Sequence, residues 1–351
     1  MATILYGVAG EGSGHASRAR EIVRHLKRKK HTVKFVSSAR GYKNLRPDFD
    51  VERIFGFSFS FKDNKVRYAP TILHNLLKTP EAIEGIEHVS KIADAIQPDI
   101  IISDFEPIVS TIAHLKKIPL ISIDNQHRLT NTKIEYPKKY RQEALTAQTV
   151  INLITFHSSA YLVTAFSKAI PTKKDTYIFP PILREAVLQT KPRTGDYILV
   201  YLTSGFNKLT RLLETVNKKF IIYGLNREEK RNNLIVKKSS RKGFLKDLAG
   251  CEGVIASAGF TLITESLYLG KPYLALPITG QFEQIFNAHT LETLGYGQHW
   301  DELNKERIES FLYNIETYKK NLTKYKKEDN SKICKKIDEL IAQYTRQKRK
   351  K

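Results

Sequence analysis

Residues Gly253 to Ala288 read GVIASAGFTLITESLYLGKPYLALPITGQFEQIFNA. An apolar run ends at Ala256, the turn Ser257-Ala258-Gly259-Phe260 follows, and a helical apolar period begins near Thr261. A second apolar run, Tyr273 to Leu276, leads into Pro277 and another helix start. Strand, glycine turn, helix and strand in this order form one unit of a parallel sheet. Gly259 lets the backbone come close to a ligand, and the helix start behind it is a ready site for a diphosphate. Glu265 falls one turn further, on the face of Thr261, where a carboxylate can accept from both hydroxyls of a ribose. Gln281, Glu283, Gln284 and Asn287 gather at the next helix start, where they can read sugar hydroxyls.

The same alternation extends in both directions. In the second half, strands are expected at Tyr197–Leu202, Phe220–Tyr223, Leu234–Val236, Val254–Ala256 and Tyr273–Leu276. Helices fit Leu209–Val216, Phe244–Leu248, Thr261–Leu269 and Phe282–Leu294. The first half repeats the architecture without repeating the sequence, with strands at Ile4–Val8, Thr32–Ser37, Val51–Phe55, Ile100–Ser103, Leu120–Ile123 and Tyr161–Thr164. Helical patterns such as Ser17–Lys29 and Glu106–Lys116 lie between them. The runs QPDIIISD and KIPLISID are short and fully apolar, as buried parallel strands are. Lys168 to Asp196 carries Pro171, Pro180, Pro181 and Pro192 and reads as a linker. The expected organisation is a doubly wound domain over 1–165, a linker over 166–195, a second such domain over 196–304, and C-terminal helices with a basic tail over 305–351. The fold class is α/β, with two Rossmann-like domains facing across a cleft lined by the carboxyl ends of the strands.

The totals bound the class further. The chain has 351 residues, 41% of them apolar, enough for two separate cores. Two cysteines, Cys251 and Cys334, give no disulfide framework and fit a reducing, cytoplasmic setting. The N-terminus lacks a charged n-region, so no secretory signal is expected. Val150 to Phe166 is apolar but carries Asn152, His157, Ser158 and Ser159 near its middle, which speaks against a membrane span. The formal net charge is +22, and Tyr318 to Lys351 alone holds 13 Lys and Arg against 4 Asp and Glu. Such a surface suits nucleic acid or an anionic membrane, or is the solvated face of a lysine-rich chain.

The opening residues GVAGEGSGHASRA, Gly7 to Ala19, carry four glycines, Gly7, Gly10, Gly12 and Gly14, from the end of the first strand to the first helix. A dinucleotide fingerprint fails, because His15 stands at the third glycine's place and the second strand ends in serines instead of an acid. A P-loop fails too, because Ser13 replaces the lysine. What remains is a glycine turn, with Gly12 and Gly14, that brings backbone N–H groups, His15 and Arg18 to the mouth of the sheet. The plain alternative is a glycine-permitted turn with an incidental histidine.

Taken together, these stretches resemble the GT-B glycosyltransferases of family 28 type, such as the N-acetylglucosaminyl transferases of lipid-linked peptidoglycan precursors. The likeness covers nearly the whole chain in order and spacing. That family's G-x-G-G-H loop stands here as GEGSGH, Gly10 to His15, and its HEQN…LTN segment as DNQHRLTN, Asp124 to Asn131. Asp124 and Asn125 replace the His-Glu pair, and Asn125 and His127 fall on the acceptor side with Gly12, Gly14 and Arg18. GFLKDL corresponds to the uracil segment and assigns Phe244 to the base. SAGFTLITE assigns Ser257, Gly259, Phe260 and Thr261 to the diphosphate and Glu265 to the ribose. FEQIFNA corresponds to paired glutamines, with Glu283 in the first one's place. YLTSGF places Thr203, Ser204 and Gly205 beneath the diphosphate.

The resemblance implies a UDP-sugar donor, a glycan or lipid-linked acceptor, and an inverting displacement of UDP by an acceptor hydroxyl. Fixed N–H groups at Thr261 and at the Thr203–Gly205 loop would stabilise the leaving diphosphate. No cofactor and no metal is expected: there is no compact Asp/His cluster with metal-ligand spacing. His15 is the first candidate for general base, with Asp104 and Glu106, in IISDFEP, as alternatives. The segment Phe55 to Lys78 mixes aromatics and leucines with Lys62, Lys65, Arg67 and Lys78, which fits docking on anionic lipid at the inner face of the plasma membrane. Nucleic acid is not expected as a partner, since no recognisable RNA- or DNA-binding motif is present. A UDP-sugar 2-epimerase and a non-catalytic sugar-nucleotide-binding protein remain as alternatives.

Overall fold

A computed structural model of the chain describes residues 1–56, 61–62, 65–66, 79–155, 157–201, 206–302 and 304–350. It divides into two compact units. The first consists of Met1–Phe61, Arg67–Arg184 and Asp329–Lys351, the second of Glu185–Glu328 and the short Lys62–Val66 segment.

The first unit is built on β1 (Thr3–Val8), β2 (Thr32–Ser37) and β3 (Val51–Arg53). Beyond the two-residue strands β4 (Phe61–Lys62) and β5 (Lys65–Val66) follow β6 (Ile100–Asp104), β7 (Leu120–Asp124), β8 (Ala160–Thr164) and β9 (Thr176–Phe179). Seven of these make one sheet in the order β3-β2-β1-β6-β7-β8-β9. Its paired strands run parallel. Helix α1 (Gly14–Arg28) follows β1, α2 (Ala39–Leu45) follows β2, and α3 (Thr79–Ile96) precedes β6. Next come α4 (Pro107–Leu115), the short α5 (Arg128–Asn131) and α6 (Arg141–Ile154). Alternate residues of β1 feed opposite cores, as the period of a strand demands. Ile4, Tyr6 and Val8 pack with Ala19, Ile22 and Leu26 of α1, whereas Leu5 packs with Val109 and Ile112 of α4. Gly7 allows the closest approach: a Cβ there would sit 2.4 Å from Val109 Cγ2.

The second unit has α7 (Glu185–Leu188), β10 (Tyr197–Tyr201), α8 (Phe206–Glu214), β11 (Lys219–Tyr223), β12 (Glu229–Arg231) and β13 (Leu234–Val236). After them come α9 (Arg241–Gly250), β14 (Gly253–Ser257), α10 (Phe260–Tyr268), β15 (Tyr273–Leu276), α11 (Phe282–Thr293) and β16 (Gly297–His299). The sheet order is β12-β13-β11-β10-β14-β15-β16, and only β12 pairs antiparallel. Ile198, Val200, Phe220, Ile222, Ile255 and Leu274 form its core with Leu209 and Leu213 of α8. Helices α12 (Lys305–Tyr313) and α13 (Ile315–Leu322) close that core through Ile308, Phe311 and Ile315.

Two expected boundaries are corrected. The stretch expected as a linker over 166–195 contains β9, which pairs with β8 from Tyr161↔Thr176 to Thr164↔Phe179 and extends the first sheet. The last helix, α14 (Ser331–Lys350), belongs to the first unit and not to a C-terminal appendage. Its apolar stripe Ile333, Ile337, Leu340, Ile341 and Tyr344 is buried in the core beneath α1, the outcome helical spacing favours once such a face finds a partner. Asp338 meets His25 at 2.8 Å, and Tyr344 donates to the Ser159 carbonyl at 3.0 Å. The Asn330 side chain clamps Leu183 by two hydrogen bonds of 2.8 and 2.9 Å.

Candidate active site

Both sheets reverse direction at one point. In the first, β1 lies beside β6, and in the second β10 lies beside β14. Ligands of doubly wound sheets bind at the carboxyl ends of the strands at such a switch. His15, Asp104 and the second unit's glycine turn all fall at these two points.

In the first unit, β1 ends at Val8 and the turn runs through Gly12, whose φ of +75° is a left-handed conformation that glycine adopts without strain. Gly14 opens α1, and no side chain caps that helix. The turn delivers His15 and Arg18, three residues apart on one helical face, over the end of β6. His15 Nδ1 lies 2.6 Å from Asp104 Oδ1. An ionised carboxylate only accepts, so the proton of this contact sits on Nδ1 and the lone pair on Nε2. Asp104 is fully buried and also takes both prongs of Arg18, Nε at 2.8 Å and a terminal nitrogen at 2.5 Å. Burial works against the Arg18 cation, but Asp104 more than offsets it and holds the guanidinium above its ordinary range. Arg18 also donates to Asn125 Oδ1 at 3.0 Å, and Gln126 Nε2 lies 3.4 Å from His15 Nε2. The Phe105 ring stacks on His15, with centroids 6.2 Å apart and planes at 15°.

Several expected residues take different positions. Glu106 is buried and its carboxylate accepts from the Val109 N–H at 2.7 Å, so it caps α4 and does not face an acceptor. Burial pushes its carboxyl up to about 7, against the pull of the Val109 and Ile108 N–H groups. Asp104 is closed off by its partners and orients His15; its carboxylate is not open to an acceptor. Arg18 and Asn125 are likewise buried, behind His15 and not on an open surface. His127 is buried as well: Nδ1 meets Asp124 Oδ2 at 2.6 Å and Nε2 meets the Thr155 hydroxyl at 3.1 Å. Burial raises the Asp124 carboxyl, but His127 outweighs it and holds it far below the usual range. This pair is a support of the fold.

In the second unit, Gly259 is the N-cap of α10 with φ −68° and ψ 131°, a conformation open to any residue. Among the described residues, a Cβ built there meets no atom within 4 Å, so neither backbone nor packing there calls for glycine. Tyr273 donates to the Ser257 carbonyl at 2.6 Å and Asn287 to the Ala258 carbonyl at 3.1 Å, which pins the turn. Phe260 is buried and Thr261 half-buried in the first turn. Glu265 is buried in the next turn at 3% exposure. Phe244 lies edge-on to Tyr201 and Tyr223, with centroids 5.6 and 5.1 Å away, at the carboxyl ends of β10 and β11. At the start of α11, Gln284 accepts from the Ile278 N–H at 3.1 Å, so its oxygen positions the preceding loop. Gln281 is half-buried and its Oε1 has no hydrogen-bond partner within the described residues. Glu283 is half-buried beside it. Thr203, Ser204, Gly205 and most of the Phe55–Lys78 segment lie outside the described residues.

Residues 2–316 match the family described as Glycosyl transferase family 1. The chain belongs to glycosyl transferase family 1. It is 26% identical over 375 residues to the UDP-N-acetylglucosamine--N-acetylmuramyl-(pentapeptide) pyrophosphoryl-undecaprenol N-acetylglucosamine transferase of Clostridium botulinum (strain Kyoto / Type A2), covering 96% of this chain and 98% of that one. Among solved structures, the glycosyltransferase of kitacinnamycin aligns with a TM-score of 0.69 at 14% identity, over 96% of this chain and 98% of that one. Acinetobacter baumannii MurG aligns with a TM-score of 0.62 at 14% identity, over 98% and 100%. The fold of this glycosyltransferase is thus GT-B. Sequence reasoning did not find Phe105, Gln126, Tyr201 or Tyr223. Gln126 and Tyr201 lie inside the DNQHRLTN and YLTSGF stretches, but it is strand order that brings them, with Phe105 and Tyr223, to the carboxyl ends of the strands.

Proposed function

We propose that the protein transfers a sugar from a UDP-sugar to a hydroxyl of a lipid-linked or cell-envelope glycan, with His15 as general base. The observation that carries this reading is the His15–Asp104 contact of 2.6 Å at the switch point of the first sheet. Asp104 fixes the ring with its lone pair on Nε2, the arrangement a base needs to take the acceptor's proton. The long Gln126 contact at Nε2 is one that an acceptor hydroxyl can displace. The displacement breaks the bond between the anomeric carbon and the diphosphate, and the acceptor oxygen forms the new one with inversion. The leaving UDP gains negative charge, which the N–H groups at the start of α10 stabilise; the resemblance alone assigns Thr203, Ser204 and Gly205 to the diphosphate. Phe244 takes the uracil, Glu265 the ribose, and Ser257, Gly259, Phe260 and Thr261 the diphosphate. Gln281 and Glu283 face the sugar, and a carboxylate at Glu283 favours a hydroxyl-bearing position over an N-acetyl group. The Clostridium relative's undecaprenol-linked acceptor supports a lipid-linked substrate. The +22 charge supports a peripheral position on anionic lipid at the cytoplasmic face. Among the described residues no helix is long and apolar enough to cross a membrane.

A thermal-shift titration with UDP, GDP, AMP and NAD, on wild type and Glu265→Ala, tests the donor half. A ligand at 100 times its Kd adds about 2.7 kcal/mol of stability. A shift with UDP alone, weakened by the Glu265 change, is expected; an equal shift with every nucleotide contradicts the donor site.

A further inference from the structure

We propose that Arg18 is a positioning residue that balances the charge of Asp104 and so keeps the His15 ring neutral and able to accept a proton. The inference deepens the reading of His15 as base and rests on it. A buried carboxylate beside an imidazole normally favours the imidazolium, because the charged pair is stabilised in a poorly solvated site. That would occupy the lone pair that a base must offer. Here the carboxylate is already matched. Arg18 spans both oxygens of Asp104, at 2.8 and 2.5 Å, whereas His15 reaches only Oδ1. The same terminal nitrogen of Arg18 lies 3.2 Å from His15 Nδ1. A proton added to His15 would place a second cation against the guanidinium, with one anion between the two.

The surroundings hold Arg18 in that role. Asn125 accepts from its other terminal nitrogen at 3.0 Å, and the charge of Asp124 acts on it from β7. Among the described residues, Gln126 at Nε2 and the Phe105 ring also lie against His15, and neither carries charge. Arginine suits the task where lysine would not. Its fork covers two carboxylate oxygens at once, and it does not give up its proton on burial. The i, i+3 spacing of His15 and Arg18 on α1 lets one helix face deliver both the base and its counter-charge to the end of β6.

The test is the protonation midpoint of the His15 imidazole, followed by NMR in the full chain and assigned by loss of the signal in His15→Gln. Asp104→Asn, which leaves Arg18 unopposed, is expected to lower the midpoint. Arg18→Met is expected to raise it by about one pH unit or more, the scale set by an uncompensated charge within 4–6 Å. Arg18→Met combined with Asp104→Asn removes both charges and is expected to return the midpoint close to the wild-type value. Should Arg18→Met alone fail to fold, Arg18→Met made in the Asp104→Asn background still isolates the guanidinium, and its removal there must raise the midpoint. A midpoint unmoved by Arg18→Met in a folded protein overturns the proposal. This readout needs no substrate, so failure of the glycosyl-transfer reading would show separately, as an absent UDP shift.

Discussion

Phe105 lies nearly parallel to the His15 ring, at 6.2 Å, while its own backbone is left-handed with φ of +55°. An aromatic residue rarely adopts that conformation, and it costs on the order of 1 kcal/mol or more. Its neighbours explain it: Asp104 must aim at His15 and Arg18 while Glu106, two residues on, caps α4. Phe105→Gly is therefore expected to keep or raise stability, by up to about 1 kcal/mol, while turnover falls several-fold as the ring wall is lost. Urea unfolding and steady-state rates on the same preparation check this. A variant that loses stability and keeps its rate would count against it.

Gly259→Ala separates ligand space from protein packing. Among the described residues the added methyl meets no atom within 4 Å, and the backbone accepts alanine. Stability should stay within about 0.5 kcal/mol, while UDP affinity measured by calorimetry drops. Unchanged affinity would place the diphosphate elsewhere.

Glu106 sets a pH dependence of stability. Burial raises its carboxyl to about 7 in the fold, against about 4.3 in an unfolded chain. Between those values the folded protein holds the extra proton, so stability falls as pH rises from about 4.3 to 7 and is flat beyond. The size is on the order of 1–3 kcal/mol. Glu106→Gln keeps an acceptor for the Val109 N–H and should flatten that part of the Tm–pH curve. A slope identical to wild type would remove Glu106 as its source.

The Asp124–His127 pair contributes with the opposite pH dependence. Asp124 is held well below its ordinary range, so its contribution is present above pH 4 or so and lost as pH falls through the lower folded value. His127→Ala leaves that buried carboxylate uncompensated, at a cost of about 3–5 kcal/mol. The thermal shift caused by UDP should be unchanged at temperatures where the variant is folded. Loss of UDP binding in a folded variant would give His127 a part in the site.

The strand runs were readable because parallel strands buried on both faces leave short apolar stretches, as in Ile100–Asp104 and Leu120–Asp124. Thr176–Phe179 was not, because it is a half-buried edge strand among prolines and lysines, where periodicity carries little signal. The stripe from Ile333 to Tyr344 announced an amphipathic helix, but no local pattern tells which of two similar cores will take it. His15 stood out beside its glycines. Its partner Asp104 lies 89 residues away, and only the adjacency of β1 and β6 unites them. The capping role of Glu106 was legible after all: a carboxylate just before Pro107, at the first helical position, is an N-terminus signal. The Asp124-x-x-His127 spacing was another such sign, of a local pair closing on itself.

The most direct measurement is UDP release from a UDP-sugar in the presence of a polyprenyl-diphosphate-linked glycan, comparing wild type with His15→Gln. Wild type should release UDP only when the acceptor is present, and the variant should do so at least about a hundredfold more slowly while binding UDP equally well. Equal rates in the two proteins, or release without any acceptor, would contradict the account.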